Sequence, residues 1–406
     1  LTISIMEALW ATILFSGFAL EVIIRLTKKV LVLAVAGVLS SLAYAEPSVT
    51  LYGTADGGLV YQHVKNTGEK GTDTLALESG INDTTKWGLK GSEDLGNGTK
   101  VSFKLENGYN LDDGTLGNNN RLFGREAQVN ISGNLGTLAF GRMGAIGSSA
   151  GTFDLTQYYA ESFDGGDWST FGMTMTDRYD NMLTYQTPSY GGFQATLQYS
   201  FKNDSKEDGD EGHSSANRFA GIGLTYEVGK LQTVFSYEWL DRSNLASNVN
   251  TKDGLIVSLG GNYDFGTFKL FALAKYVTGV DSFASFDNTE LGDVSFSSTG
   301  SVLHNHGMKG YNLHVGSIVP IAGGDLTLGA YYADGKLTDT AASDSAASSS
   351  ADLSYIGVAV KYAYHLSKRT DLYVGADFSQ AKASSIKFEG ADEGSLKYRT
   401  TSVYSG

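Results

Sequence analysis

The sequence predicts an all-β protein, a sixteen-stranded antiparallel transmembrane β-barrel. Three observations carry that expectation. Apolar and polar residues alternate with period two in one segment after another. The connections between these segments are alternately short and long along the whole chain. The composition, 51 Gly, 23 Tyr and 20 Phe but only 3 Pro in 406 residues, suits long strands joined by tight turns.

The amino-terminal part lies outside that pattern. Lys28 and Lys29 precede the apolar run VLVLAVAGVL (30–39), and SSLAYA follows with Ala43 and Ala45 one residue apart. A charged start, a short apolar stretch and small residues at a cleavage point make residues 26–45 read as a signal peptide cut after Ala45. The apolar stretch is too short to span a bilayer as a helix. Residues 1–25 begin with Leu and carry Glu7 and Glu21 in their apolar run, so they read as an over-extended start. Residues 46–406 are left for the barrel.

The first strand is VTLYGTADGGLVYQ (49–62), where alternate residues are apolar and small or polar. In LQTVFSYEWL, Leu231, Thr233, Phe235, Tyr237 and Trp239 share a face. In FQATLQYSF, Phe193, Ala195, Leu197, Tyr199 and Phe201 oppose Gln194, Thr196, Gln198 and Ser200. IGVAVKYAYHL repeats this, with Ile356, Val358, Val360, Tyr362, Tyr364 and Leu366 opposite Lys361 and His365. Each strand therefore has one apolar and one polar surface.

Short turns fall at 93–98, 133–136, 189–192, 227–230, 264–267, 322–325 and 366–371, with the Gly, Asn and Asp that tight hairpins use. Long polar stretches fall between them, at 62–83, 111–120, 143–177, 203–217, 241–252, 279–306, 335–351 and 384–395. Seven turns and eight loops join sixteen strands. Short turns on one side, long loops on the other and an even strand number are the habit of outer-membrane barrels. Sixteen strands enclose water rather than a packed core, so the polar strand faces are expected to form the wall of a channel.

Several functions are excluded on composition. With no cysteine there is no disulfide, thiolate nucleophile or thiolate metal site. A net charge of −14 makes nucleic acid an improbable partner. The six histidines, His63, His213, His304, His306, His314 and His365, fall in no nucleophile or metal-ligand motif. Neither an enzyme, a cofactor nor a metal centre is indicated.

Four stretches carry a resemblance: VTLYGTADGGL, TKWGLKGSEDLGNGTKVSFKLENGYN (85–110), REAQVNISGNLGTLAFGRM (125–143) and DRYDNMLTYQTPSYGGFQATLQYSF (177–201). These resemble the general-porin family of Gram-negative outer membranes. The resemblance implies a trimer of sixteen-stranded barrels in the outer membrane. Its third long loop would fold into the lumen, and small hydrophilic solutes would pass by diffusion. It implies a constriction in which Lys86, Arg125 and Arg178 form a basic wall. The segment ESFDGGD is similar to the family's PEFGGD, which puts Glu161, Asp164 and Asp167 on the loop opposite that wall, with Asp154 a further candidate. The family's last strand ends in an aromatic residue, whereas this chain ends in LKYRTTSVYSG, so the last strand is expected to be truncated.

One tension arises within this reading. Alternation puts Arg125 on the face of Ala127, Val129 and Ile131, and Glu126, Gln128 and Asn130 on the other. Either those polar residues face outward at a subunit interface, or a bulge resets the register. A rival function is a substrate-specific channel for a sugar or charged metabolite, to which the third-loop residues Phe153, Tyr158, Tyr159, Phe163, Trp168 and Phe171 would contribute. The charged outer loops, such as KNDSKEDGDEGHSSANR, suit contact with lipopolysaccharide through divalent cations.

Overall fold

A computed structural model describes residues 48–148, 151–163, 173, 176–245, 252–280, 307–338, 350–388 and 391–406, with four two-residue strands between 282 and 295. The proposed signal peptide and the segment before it lie outside the described residues, as do Asp164, Asp167, Trp168, Phe171, His304 and His306.

One antiparallel sheet contains eighteen hydrogen-bonded segments, which amount to sixteen crossings of the wall because the first two strands are each interrupted once. Strand β1 comprises Ser48–Thr54 and Gly57–Asn66, and β2 comprises Thr72–Ser79 and Lys86–Gly96. Next come β3 (Thr99–Gly108), β4 (Glu126–Gly133), β5 (Gly136–Gly144), β6 (Arg178–Gln186), β7 (Phe193–Ser200) and β8 (Arg218–Val228). Then follow β9 (Leu231–Asp241), β10 (Gly254–Asp264), β11 (Lys269–Val280) and β12 (Met308–Ile321). The last four are β13 (Gly324–Thr338), β14 (Ser350–Ser367), β15 (Thr370–Phe388) and β16 (Ala391–Ser405). Each strand pairs with its sequence neighbours, and β16 pairs back onto β1 from Leu59↔Ser405 to Asn66↔Tyr398. That last ladder joins the sheet into a ring.

The alternation read from sequence is realised in three dimensions. Leu197, Tyr237, Trp239, Ile356 and Val358 are exposed on the outer face, while Gln198, Ser236, Glu238 and Lys361 turn inward and are buried. At the short-turn end aromatic residues gather outside: Phe193 stacks on Tyr226 at 4.2 Å, and Tyr263, Phe265 and Phe268 form a second group. Such a girdle marks the membrane–water boundary. The turn after β2 has Asn97 at φ 52° and Gly98 at φ 75°, the left-handed geometry that this Asn-Gly pair supplies cheaply.

Two expectations are corrected. The stretch 62–83 is mostly strand: β1 runs to Asn66 and β2 starts at Thr72, so only five residues separate them. The ladder then breaks, because Ala55 and Asp56 of β1 face the six residues Gly80–Thr85 of β2, and this bulge swings into the lumen. The inner wall is also not polar throughout. In the long-loop halves of β11–β15, inward Val277, Met308, Leu337, Leu353 and Ile386 join a buried apolar cluster with Phe283 from the β11–β12 connection. These strands run beyond the membrane thickness, and their inner faces pack instead of facing water.

Candidate functional site

The third long loop leaves β5 and folds inward. Helix α1 (Thr156–Ala160) packs against β9, β10 and β11. Small residues on the wall make room for it: a Cβ on Gly260 would come within 2.6 Å of the Ala160 side chain, and one on Gly316 would collide with Ser162. Polar groups fix the seat. Asn262 Nδ2 donates to the Tyr159 carbonyl at 2.7 Å, Ser162 Oγ to the Leu328 carbonyl at 2.9 Å, and Ser162 N to His314 Nε2 at 3.2 Å. The Tyr159 hydroxyl donates to Glu227, and burial followed by that hydrogen bond raises its pKa above the usual phenol value.

Both ends of the loop are held by buried glutamates. Glu126 on β4 accepts from Thr152 N at 2.8 Å, from Thr152 Oγ1 at 3.2 Å and from Gln128 Nε2 at 3.0 Å. Glu238 on β9 accepts from Thr176 Oγ1 at 2.9 Å and lies against Gly147. Loop residues thus cover the inward polar side chains of β7–β13, among them Ser236, Ser258, Lys275 and Asn312. On the inner wall of β1–β4, Tyr52, Lys86 and Lys104 are half-buried and Lys90 is exposed, whereas Glu106, Arg125 and Glu126 are buried.

That wall carries interleaved charges. Tyr52, Lys86, Lys90, Lys104, Glu106 and Glu126 all point inward. Glu106 and Glu126 stand directly opposite each other, a repulsive pairing that cations bridge. Lys104 contacts both, at 3.3 Å from Glu106 and closer to Glu126. Arg125 Nε donates to Glu106 Oε1 at 2.7 Å, and the Tyr52 hydroxyl donates to Oε2 at 2.8 Å. Lys90 lies over the Tyr52 ring, 5.1 Å from its centroid. Charge-assisted bonds of this kind fix side chains firmly in a low-dielectric wall.

The tension over Arg125 is resolved here. Arg125 precedes β4 in a bend, so it escapes the strand alternation. Glu126 and Gln128 therefore face inward, Val129 and Ile131 face outward, and Arg125 still reaches the inner Glu106.

The other candidates divide. Lys86 points inward and pairs with Asp83 of the bulge at 2.7 Å. Arg178 opens β6 but is largely covered, with Asp177 3.6 Å away. Asp154 accepts from Gln157 N at 3.4 Å, at the start of α1. Glu161 departs from expectation: its side chain has no exposed surface and its carboxylate lies 3.7 Å from Lys275 of β11. It is pinned to the wall behind the loop and does not face open lumen. Of the third-loop aromatics, Phe153, Tyr159 and Phe163 are buried against the wall, and Tyr158 is exposed.

Sequence reading missed the bulge. Asp56 accepts the Asn82 and Asp83 amides at 2.6 and 2.9 Å and the Tyr373 hydroxyl at 2.7 Å. Ile81 is sealed in a cluster with Val60, Ala363, Tyr373 and Tyr404. Lys361 of β14 donates to Asn82 Oδ1 at 2.6 Å, and its ammonium lies over the ring of Phe163 on the third loop. The signal was available: an inward lysine on β14 opposite a Gly-Ile-Asn-Asp stretch that breaks alternation.

Comparison with known proteins agrees with this geometry. A family model described as Gram-negative porin matches residues 31–384. An outer membrane porin protein of Bordetella pertussis is 34% identical over 374 residues, covering 83% of this chain and 90% of its own. Among solved structures, an anion-selective porin from Comamonas acidovorans superposes with a TM-score of 0.58 at 22% identity, over 89% of this chain and all of that one. The trimer form of OmpT, an outer membrane protein of Vibrio cholerae, gives 0.52 at 14% identity over 89% of this chain and all of that one.

Proposed function

This chain belongs to the Gram-negative porin family, forming an outer-membrane channel for passive diffusion, and from that premise we propose which residues set its selectivity. The narrow part of the pore lies between the third loop and the inner wall of β1–β4. Lys86, Lys90, Lys104 and Arg125 form the basic side, with Glu106 and Glu126 set among them. The observation that carries this reading is the docking of the third loop on β8–β13, opposite a wall on which Lys86, Lys90 and Lys104 keep exposed surface while Arg125, Glu106 and Glu126 are buried in the ion-pair network with Lys104. Fixed charges at a narrow, partly desolvated waist act on passing ions more strongly than the net charge of the distant loops. Asp154, Asp164 and Asp167 of the third loop supply the opposing negative side, whereas buried Glu161 anchors the loop.

The trimer implied by the family resemblance has support in the unbroken apolar outer face of the early strands. Leu51, Leu59, Leu75, Leu77, Val129 and Ile131 are all exposed there. Contact with lipopolysaccharide through divalent cations on the acidic loops remains part of the same proposal.

A second reading, a solute-specific channel, is favoured by one observation: Phe283 brings a second connection into the barrel, against Gly310 and Gly335. Both readings meet the same test. Neutralising Lys86, Lys90 and Lys104 to glutamine in a planar bilayer should move the reversal potential toward cation preference while current stays linear in salt. An unmoved reversal potential contradicts the assignment of the wall. A current that saturates with one added solute favours the specific channel.

A further inference from the structure

Thr54 pairs with Lys86 and Gly57 with Ser79, so between these rungs two residues of β1 face the six residues Gly80–Thr85 of β2. The surplus residues cannot stay in the sheet and loop out of it. Ile81 decides the direction. It is fully buried against Val60, Ala363, Tyr373 and Tyr404, which share the parity of inward Lys361, Asp377 and Ser402 along their strands. The excursion therefore lies inside the barrel, and it carries a carboxylate, Asp83, that no other part of the functional reading uses.

The backbone around Asp83 is fixed from several sides. Asp56 Oδ2 accepts from Asn82 N at 2.6 Å and Asp83 N at 2.9 Å, and Asp56 Oδ1 accepts from the Tyr373 hydroxyl at 2.7 Å. Thr85 Oγ1 donates to the Asp56 carbonyl at 2.8 Å, and Lys361 Nζ donates to Asn82 Oδ1 at 2.6 Å. None of these bonds uses the Asp83 side chain. That side chain keeps 37% of its surface exposed, and Oδ1 accepts from Lys86 Nζ at 2.7 Å. An ion pair this exposed adds little to stability. Its charge is nevertheless held in place beside the water-filled passage, where fixed charges act on every ion that enters.

We infer that Asp83 is a selectivity-determining residue of the channel: a carboxylate set on the basic wall itself, which cancels Lys86 and holds down the anion preference that the wall lysines give. The inference rests on the reading of β1–β4 as the selective wall. Lys90 stands four residues beyond Lys86 on the same strand face, about 13 Å away at the usual strand rise. That exceeds the screening length of about 10 Å in 0.1 M salt. Asp83 therefore neutralises its neighbour and leaves Lys90 to act on passing anions. A unit charge about 7 Å from an ion in water, screened at 0.1 M, changes the ion's local concentration by about 1.6-fold. Because anions and cations respond in opposite directions, the ratio of their permeabilities changes by about two- to threefold.

The test is the reversal potential of the full-length folded protein in a planar bilayer, across a potassium chloride gradient with about 0.1 M on the dilute side. Asp83→Asn should raise the anion-to-cation permeability ratio by about two- to threefold, and Lys86→Gln should lower it by a similar factor. The double variant should return to the wild-type ratio, because one neutral pair replaces another. Asp83→Glu should also keep the wild-type ratio. Glu211→Gln removes the same charge from the exposed fourth long loop and should leave the ratio unmoved. A merely structural role for Asp83 would lower the thermal transition without shifting the two single variants in opposite directions. If Asp83→Asn does not assemble, Asp83→Ser is read in its place. An unchanged ratio in the Asp83 variant, or an equal shift in Glu211→Gln, overturns the inference. Lys90→Gln separates it from the reading beneath it. If Lys90→Gln moves the ratio toward cations and the Asp83 variant does not move it, only the assignment of Asp83 fails; if neither moves it, the selective wall fails as well.

Discussion

Lys361 Nζ donates to Asn82 Oδ1 at 2.6 Å, and the same ammonium lies 5.3 Å from the centroid of the Phe163 ring. One buried side chain of β14 thereby joins the β2 bulge to the third loop. Replacing it with methionine removes a charge-assisted hydrogen bond and a cation–π contact, together about 1–3 kcal/mol of docking. Lys361→Met should raise single-channel conductance and add fast current noise, and Lys361→Arg should restore much of the quiet behaviour.

The seat of the third loop depends on missing side chains. Gly316→Val would drive a methyl into Ser162, and Gly260→Val would meet Ala160. Overpacking of this kind costs about 1–3 kcal/mol. Both variants should lower the thermal transition of the folded barrel and alter conductance, whereas Gly229→Ala in a turn open to solvent should leave conductance unchanged.

Glu161 and Lys86 separate two accounts of selectivity. Because Glu161 is buried against Lys275, Glu161→Gln should destabilise the loop, by about 1–3 kcal/mol, with little change in reversal potential. Lys86→Gln should move the reversal potential toward cations. The opposite pattern, measured across a salt gradient, would return Glu161 to the open lumen.

Tyr159 gives the alkaline behaviour. Its phenol has a raised pKa in the folded protein, first through burial and then through Glu227. As pH passes the ordinary phenol value of about 10, the unfolded or undocked loop loses its proton while the docked loop retains it. Docking is therefore at full strength below that value and weakens above it. Conductance should stay constant up to that range and rise beyond it, and Tyr159→Phe should remove the transition.

Much of this architecture was legible in the residues. The period-two pattern around Leu197, Tyr237 and Val358 gave the outer face, and the alternation of turn and loop lengths gave the strand number. Lys86 and Arg125 drew attention only through segments that resemble the family. Three features were hidden because they depend on contacts distant in sequence. The 62–83 stretch looked like a loop since its polar residues obscure two strand halves around a bulge. Glu161 looked lumenal because its partner, Lys275, lies 114 positions away. The apolar upper wall shared its pattern with a membrane-facing surface until Phe283 was placed inside it. Arg125 is the opposite case: local sequence posed the question correctly, and a bend before β4 answers it.

The central claim is a water-filled pore narrowed by a docked third loop, and single-channel conductance in a planar bilayer tests it most directly. The account predicts closures in three equal steps, each linear in salt concentration and larger in Lys361→Met than in wild type. Absence of channels, or small currents that saturate with salt and are indifferent to Lys361, would contradict it.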